Sequence, residues 1–364
     1  MNDDYRREAD ALDARIQTII AGRAMLDDVA FTALALAIFA HQIRWNAPYA
    51  AYARRLGFDR ERMPETIAEI PAVPSAAFKE ATLSTVGDRA AVRFETSGTT
   101  QGRGGSHYLE TAELYDAALL AGFDAALLDD GARLRYLLLV PAVAKRPQSS
   151  LGYMMAVVAA RRGDGPAAGF IDGDVLDVDG FLTAAANAAR DAQPVCVATT
   201  AFALVALLNT MEARGVRLAL PAGSRLMETG GFKGRTRVVS REELYARTAS
   251  ALGLPLHRIV AEYGMTELSS QYYDSHASRA TLDRRKAWPA WLRPIVVDPR
   301  GKPVPDGIVG AIRHIDLANR SSVVAIETED LGALVGGELV LLGRERGAEL
   351  RGCSLDAEDL AARA

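Results

Sequence analysis

Cysteine is almost missing from this sequence: of 364 residues only Cys196 and Cys353 are cysteines. That excludes a disulfide framework and a cysteine-rich metal site, and it fits a reducing, cytoplasmic compartment. Histidine is nearly as scarce, five scattered copies with no HExxH or HxH pairing, which argues against a histidine zinc centre. Long apolar runs are lacking too. The longest, Val29 to Ala40 (VAFTALALAIFA), is too short to span a bilayer and contains Thr32, so it reads as a buried helix. The start, MNDDYRREADALDARIQ, is polar and acidic where an export signal needs a basic region followed by an apolar one, so export is not expected. Nor is there an excess of charge of one sign: Lys+Arg 42 against Asp+Glu 46 gives a net charge of −4. Neither nucleic acid nor a membrane surface has an electrostatic reason to bind, and a small ligand is expected.

What is present is enough apolar sequence, 49%, for a substantial core. Residues 3 to 57 place apolar and charged positions at helical spacing, as in YRREADALDARIQTII and YAAYARRLGF, and predict several helices. IPAVPSAAF, residues 70 to 78, carries two prolines and reads as a linker or extended arm. From residue 92 short β-type runs alternate with helical ones: VRFET, LYDAALLAGFDAALL, RYLLLVPAV, YMMAVVAARR, VCVAT, AFALVALLNTMEARG, SRLMETGG, REELYARTASALG, HRIVAEYG. Such alternation predicts an α/β fold of layered sheets with flanking helices, whose ligands sit on loops after the carboxyl ends of strands. Beyond residue 294 the Pro/Gly-bounded runs RPIVVD, GAIRHID, SSVVAIET and GELVLLG predict a smaller β-rich subdomain. The expected division is a helical segment over 1–80, an α/β core over 81–293, the β-rich subdomain over 294–343 and a tail over 344–364.

Three strand-end loops carry the candidate chemistry. SGTTQGRGG follows VRFET; its glycines allow a tight turn, and its amides and hydroxyls can converge on one anion, most simply a nucleotide phosphate. A mobile linker is the competing reading of its composition. EYGMTE (262–267) follows HRIVA, and METGG (227–231) follows SRL. Between them they offer an aromatic face for a base, a hydroxyl for a phosphate and a carboxylate for Mg²⁺. Capping or pairing on a surface is the ordinary alternative for Glu267, and a turn is the alternative for Asp330.

The order SGTT, GG, YGMTE, TEDL (Thr328 to Leu331) and Gly343–Arg344 resembles the adenylate-forming superfamily of acyl and aryl acid ligases. ETSGTT, the serine pair of RPQSSLGYMM, METGGFKG and RGCSL near the end resemble, within it, the acyl-protein synthetases of bacterial luminescence systems, which activate fatty acids. The resemblance covers roughly residues 40 to 360 and rests on several short motifs in one order. It implies the large N-terminal domain of such enzymes. It also implies that Thr96, Ser97, Gly98, Thr99 and Thr100 form the phosphate loop, and that Gly230 and Gly231 line the adenine and acyl site. Tyr263 and Gly264 would contact adenine or the acyl pocket, Thr266 the α-phosphate, Asp330 the ribose hydroxyls, Arg344 the ribose at a hinge, and Glu267 would hold Mg²⁺. ATP and Mg²⁺ are therefore the expected cofactors, and a carboxylic acid the substrate.

Two departures from the family pattern matter. The phosphate loop of the superfamily carries a lysine, whereas QGRGGSHY offers Arg103 and His107; arginine can clamp pyrophosphate through paired hydrogen bonds, and His107 reads as a structural residue. The superfamily's mobile lid, with its adenylating lysine, is expected to be absent or vestigial, because about twenty residues follow Arg344, well below an independent domain. Cys353 lies in that tail, where the luminescence synthetases carry their acyl group as a thioester; Arg351 favours its thiolate, while Asp356, Glu358 and Asp359 oppose it. An incidental tail cysteine is the alternative. Cys196, in an apolar strand, reads as inert core. Thr199, Thr200 and Phe202 fit either an acyl-pocket floor or a helix cap, and Tyr272, Tyr273, Trp288 and Trp291 fit packing.

The expected function is ATP-dependent ligation of a carboxylic acid through an acyl-adenylate to a thiol: Cys353, a carrier protein, coenzyme A or another acyl-accepting enzyme. Two rivals are a non-catalytic nucleotide-binding subunit, which would bind ATP without releasing pyrophosphate, and an ATP-independent cysteine acyltransferase, which would ignore ATP and Mg²⁺.

Overall fold

The computed structural model describes residues 3–96, 104–173, 175–230 and 240–344. In chain order these form helices α1 (Asp3–Ile20), α2 (Asp28–Trp45) and α3 (Ala47–Arg55), then strands β1 (Val73–Pro74), β2 (Val92–Glu95) and β3 (Ser106–Leu109). Next come α4 (Glu113–Leu127), β4 (Arg135–Leu139), α5 (Ser150–Arg162), β5 (Ala168–Gly169), the short pair β6 (Ile171–Asp172) and β7 (Val175–Leu176), and α6 (Val178–Arg190). β8 (Val195–Thr200), α7 (Ala201–Ala213), β9 (Arg225–Thr229), α8 (Arg241–Leu252), β10 (Ile259–Tyr263), β11 (Tyr272–Asp274) and β12 (Lys286–Ala287) follow. The order closes with β13 (Leu292–Val297), β14 (Gly310–Asp316), β15 (Ala325–Val335) and β16 (Glu338–Arg344).

Two compact units share the chain. One contains residues 1–121, 265–270 and 288–364, the other 122–264 and 271–287. The boundary thus falls inside α4 and again between Gly264 and Met265, in the middle of EYGMTE.

In the first unit the expected N-terminal helices form. α1 buries Tyr5, Ala9, Leu12, Ile16, Ile19 and Ile20, one apolar stripe at helical spacing. α2 starts at Asp27, whose side chain accepts a hydrogen bond from the Ala30 amide at 2.7 Å, and includes the apolar run VAFTALALAIFA. Asn46 ends α2 and caps α3, accepting from the Tyr49 amide at 3.2 Å, with Pro48 in the first turn, where a missing N–H costs nothing. β13, β14, β15 and β16 form an antiparallel meander, with β1 parallel to β15, and β2 and β3 form a hairpin whose paired residues run from Val92–Leu109 to Glu95–Ser106.

A polar segment, Leu317 to Val324, ties this unit together. Gln42, fully buried, donates to the carbonyls of Asn319 (2.9 Å) and Arg320 (3.0 Å) and accepts from the Val324 amide (2.9 Å). Asn46 donates to the Ser322 carbonyl, and Ser322 to that of Leu83. Arg320, 3% exposed, holds Asp13 of α1 with two hydrogen bonds (2.7 and 2.6 Å) and Glu110 with another (2.6 Å); Tyr5 also donates to Glu110. Backbone groups that have left water need such partners.

The second unit is a largely parallel sheet in the order β12, β11, β10, β9, β8, β4, β5; β4, β5, β8, β9 and β10 are parallel, and β11 and β12 antiparallel. Parallel neighbours need a crossover, and α5 connects β4 to β5, α7 connects β8 to β9, and α8 connects β9 to β10. The core is aliphatic: Leu137, Val195, Val197, Leu204, Leu207, Leu226 and Ile259 pack with Phe181 and Tyr245. Cys196 is fully buried in β8, and burial pushes its thiol up to about 12, the inert core thiol that the sequence suggested. Thr200 caps α7, accepting from the Ala203 amide at 3.2 Å. No helix among the described residues is long and apolar enough to cross a membrane.

Removing one partner of a buried ion pair leaves an unpaired charge, which typically costs about 3–5 kcal/mol. Arg320→Met removes the cation from both Asp13 and Glu110, leaving Glu110 only the Tyr5 hydroxyl, and should lower unfolding stability by about that much in urea titrations. A midpoint within error of wild type would show that the Arg320 network does not hold α1 in place.

Candidate active site

In the first unit, the loop expected to cradle a phosphate leaves β2 and returns on β3. Thr96 closes its neck: its amide donates to the Gly105 carbonyl at 2.9 Å, and its hydroxyl accepts from the Gly105 amide at 2.8 Å. Ser97, Gly98, Thr99, Thr100 and Arg103 lie outside the described residues. His107, on β3, is fully buried, and burial holds its imidazole down at about 4. It is therefore neutral at physiological pH, and with Nδ1 facing the Thr266 carbonyl at 2.9 Å it is the N–H tautomer that donates there. Its ring and that of Phe78 are nearly perpendicular, with centroids 6.1 Å apart.

That carbonyl belongs to the Met265–Ser270 turn, which carries Thr266 and Glu267, and buried side chains hold the carbonyls of Thr266 and Glu267 and the amides of Ser269 and Ser270. Asn319 donates to the Glu267 carbonyl at 2.9 Å and accepts from the Ser269 amide at 2.8 Å. Asp316, at the end of β14, accepts from the amides of Ser269 (3.0 Å), Ser270 (2.9 Å) and Ala318 (3.0 Å) and from the Ser270 hydroxyl (2.8 Å). The Trp291 indole donates to that same hydroxyl at 3.0 Å. Glu267 is 7% exposed. Sequence reasoning singled out Thr266 and Glu267 but missed Asp316 and Asn319. The one available signal was the polar run DLANRSS between two apolar strands.

Asp330 lies on β15 directly opposite Arg344, the last described residue of β16. The two positions expected to meet ribose are thus cross-strand neighbours. The Asp330 amide donates to the Thr328 hydroxyl at 3.3 Å, and that hydroxyl donates to the Ile312 carbonyl at 3.1 Å.

In the second unit, the carboxyl ends of β8, β9 and β10 are aligned so that Thr200, Thr229, Glu262 and Tyr273 form one row across neighbouring strands. Residues paired across strands point to the same face. The Thr229 hydroxyl donates to Glu262, and burial pushes the Glu262 carboxyl up to about 7. Glu228, next in β9, faces the other way, accepts from Tyr245 at 2.9 Å and is also raised by burial. Gly230 follows at φ +81°, a left-handed turn that a side chain would strain. The rings of Tyr263 and Tyr272 are 5.6 Å apart. Gly231 and Cys353 lie outside the described residues.

Among the described residues no group of three or more His, Cys, Asp or Glu is placed to hold a metal ion. Mg²⁺ needs no such cage, because it keeps waters and phosphate oxygens and takes one or two carboxylates. The single carboxylate of Glu267 fits that donor set.

A sequence model of the acyl-protein synthetases, LuxE, matches residues 170–360, more than half of the chain. The chain belongs to this family. The acyl-protein synthetase match takes in METGG, EYGMTE, TEDL and the segment around Cys353. No curated protein matches the sequence significantly. Among solved structures, an open conformation of 2-hydroxyisobutyryl-CoA ligase in complex with 2-HIB-AMP and CoA is similar with a TM-score of 0.62 at 15% identity, over 86% of this chain and 69% of that one. A long-chain-fatty-acid-CoA ligase (FadD1) from Archaeoglobus fulgidus gives 0.51 at 15% identity, over 71% and 52%. McyG A-PCP complexed with phenylalanyl-adenylate gives 0.52 at 19%, over 71% and 41%. At such identities the likeness is one of fold: this chain shares the layered α/β architecture of those ligases and spans about half the length of the latter two.

Asp316 generates a pH signature. Burial raises its carboxyl to about 6, above the roughly 3.9 of a free aspartate. The native state therefore binds the proton more tightly, so this contribution to stability is complete below about pH 4 and is lost as pH rises through about 6. The unfolding free energy of wild type minus that of Asp316→Asn should fall by up to about 1.4 kcal/mol per pH unit across that window and level off above it. A flat difference would show that the carboxyl is not raised.

Proposed function

We propose that this acyl-protein synthetase family member is an ATP-dependent ligase that activates a carboxylic acid as an acyl-adenylate and passes the acyl group to a thiol. The observation that carries the reading is the anchoring of Thr266 and Glu267, within the matched segment, by His107, Asp316 and Asn319. A turn this heavily fastened is preorganised, and the chemistry asks for preorganisation: a carboxylate oxygen attacks the α-phosphorus, the bond to pyrophosphate breaks, and two anions must be held together while it does. In the second step a thiolate attacks the acyl carbonyl carbon and AMP leaves with the bonding pair.

In this reading Ser97–Thr100 and Arg103 hold the β- and γ-phosphates, the latter in place of the superfamily lysine. Thr96 fixes the neck of their loop, Thr266 faces the α-phosphate, and Gly230, Gly231, Tyr263 and Gly264 border adenine and the acyl group. Asp330 and Arg344 take the ribose. Glu267 holds Mg²⁺, which when bound neutralises phosphate charge. Cys353, on the tail after Arg344, receives the acyl group, or a carrier protein or CoA does so in its place, in the cytoplasm. A fatty acid is the substrate suggested by the family.

Acid-dependent exchange of labelled pyrophosphate into ATP tests the first step, and Glu267→Gln should reduce it by at least about 100-fold. ATP binding without exchange for any acid would favour a nucleotide-binding subunit instead. The second step is read by covalent retention of a labelled acyl group. Cys353→Ser should abolish retention while leaving exchange within about twofold, since adenylation precedes transfer. A labelled Ser variant would place the acceptor elsewhere.

A further inference from the structure

On either side of Gly264 the second unit places two acceptor side chains that its own described groups leave incompletely hydrogen-bonded, Glu262 and Gln271. Glu262 is 7% exposed; one carboxylate oxygen accepts from Thr229, while the other accepts no hydrogen bond among the described residues and lies against the Cα of Gly264, where a Cβ would collide with it. Gln271 is 6% exposed, its Cγ would lie 3.5 Å from that same Cβ, and its side-chain oxygen has no partner among the described residues. A buried amide oxygen without a donor costs free energy, and a largely buried carboxylate with one oxygen unbonded gains from a donor that reaches it. The charged groups near Glu262 do not fill the need: Lys286 is committed to the Ala261 carbonyl (2.8 Å) and Asp274 (2.9 Å), and Glu228 is itself an acceptor. The place is the carboxyl end of a parallel sheet, where such sheets bind ligands.

We infer that Glu262 and Gln271 form a polar subsite for the acyl part of the substrate, and that the acid this chain prefers carries a hydroxyl or ammonium donor and is not a plain alkanoate. This rests on the ligase reading above. A site with unfilled acceptors rejects an isostere that lacks the donor far more strongly than an apolar pocket discriminates by size. Because burial holds the Glu262 carboxyl at about 7, it can be ionised or protonated near neutrality. Amino over hydroxy preference therefore reports the charged form.

The test is equilibrium binding by calorimetry of octanoate, α-hydroxyoctanoate, β-hydroxyoctanoate and α-aminooctanoate to the full chain, with pyrophosphate exchange measured on the same acids. We expect at least one donor-bearing acid to bind at least tenfold more tightly than octanoate and to exchange in the same order. Glu262→Leu and Gln271→Leu should each erase most of that preference, by weakening the donor acid and strengthening octanoate, with the dissociation constant for ATP changed less than threefold. Gln271→Leu breaks no hydrogen bond of the described residues, so it remains informative if the Glu262 variant does not fold. Tighter binding of octanoate, binding of no acid, or variants that weaken ATP equally with every acid would overturn the inference; the last result would assign the acceptors to the nucleotide. Binding preference without exchange would uphold the subsite while refuting the ligase reading.

Discussion

The turn that carries Thr266 and Glu267 depends on Asp316 and Asn319. Besides a bond from the Leu268 amide to the Met265 carbonyl, its Ser269 and Ser270 amides and Glu267 carbonyl are held by side chains at the end of β14 and in the segment after it, and its Thr266 carbonyl by His107. That segment is itself held by Gln42, Asn46 and Arg320, whose partners extend to α1, α2 and the β3–α4 turn. The N-terminal helices are in this sense part of the loop's support. They do not simply cover the meander, because the polar contacts run from α2 to residues 319–324 to the turn without a break. Buried networks of this kind fix an arrangement through the members that are satisfied, and here Asp316, Asn319 and Gln42 each make several hydrogen bonds, while His107 Nε2 and the Ser269 hydroxyl have no partner among the described residues.

The second unit solves a different problem. Its sheet is aliphatic and needs little polar support until the strands end, and there the register places hydroxyls and carboxyls in a row. Thr200 spends its hydroxyl on capping α7. Thr229 spends its own on Glu262. The polar groups at the strand ends are therefore divided between closing the fold and facing outward from it, and the division follows from which neighbour the register supplies.

Much of this architecture was legible in the sequence. The stripe of α1, the apolar run in α2 and the alternation from β2 to β10 follow hydrophobic periodicity, which is local. The meander after residue 294 follows from short β-type runs with turn residues between them. The loops METGG and EYGMTE were visible because small, hydroxylated and acidic residues after a strand are unusual in a plain connection. What could not be read was the service rendered by distant side chains. Gln42 looks like any polar residue on a helix, yet its partners are at residues 319, 320 and 324. Asp316 and Asn319 sit in DLANRSS, which has the composition of an ordinary turn. Gln271 lies eight residues beyond Tyr263 and gains its meaning only because β11 folds back on β10. Cross-strand register and tertiary hydrogen bonding are not functions of local composition, and these residues carry no periodic signal.

Asp316 and Glu262 show how a buried carboxylate can be assigned a role. Burial raises both, to about 6 and about 7, so titration alone does not separate them. Their hydrogen bonds do. An ionised carboxylate has about four acceptor positions, and Asp316 fills its own with three amides and a hydroxyl from the protein. An amide side chain, with one oxygen and a nitrogen that donates, cannot take its place without setting donor against donor. Glu262 accepts one hydroxyl, and its second oxygen turns toward a glycine. The first is complete without a ligand and is explained by the fold. The second bears a desolvation cost that the Thr229 hydroxyl and the charge of Lys286 offset only in part, and a fold that served only its own stability would have gained by replacing it with an apolar residue.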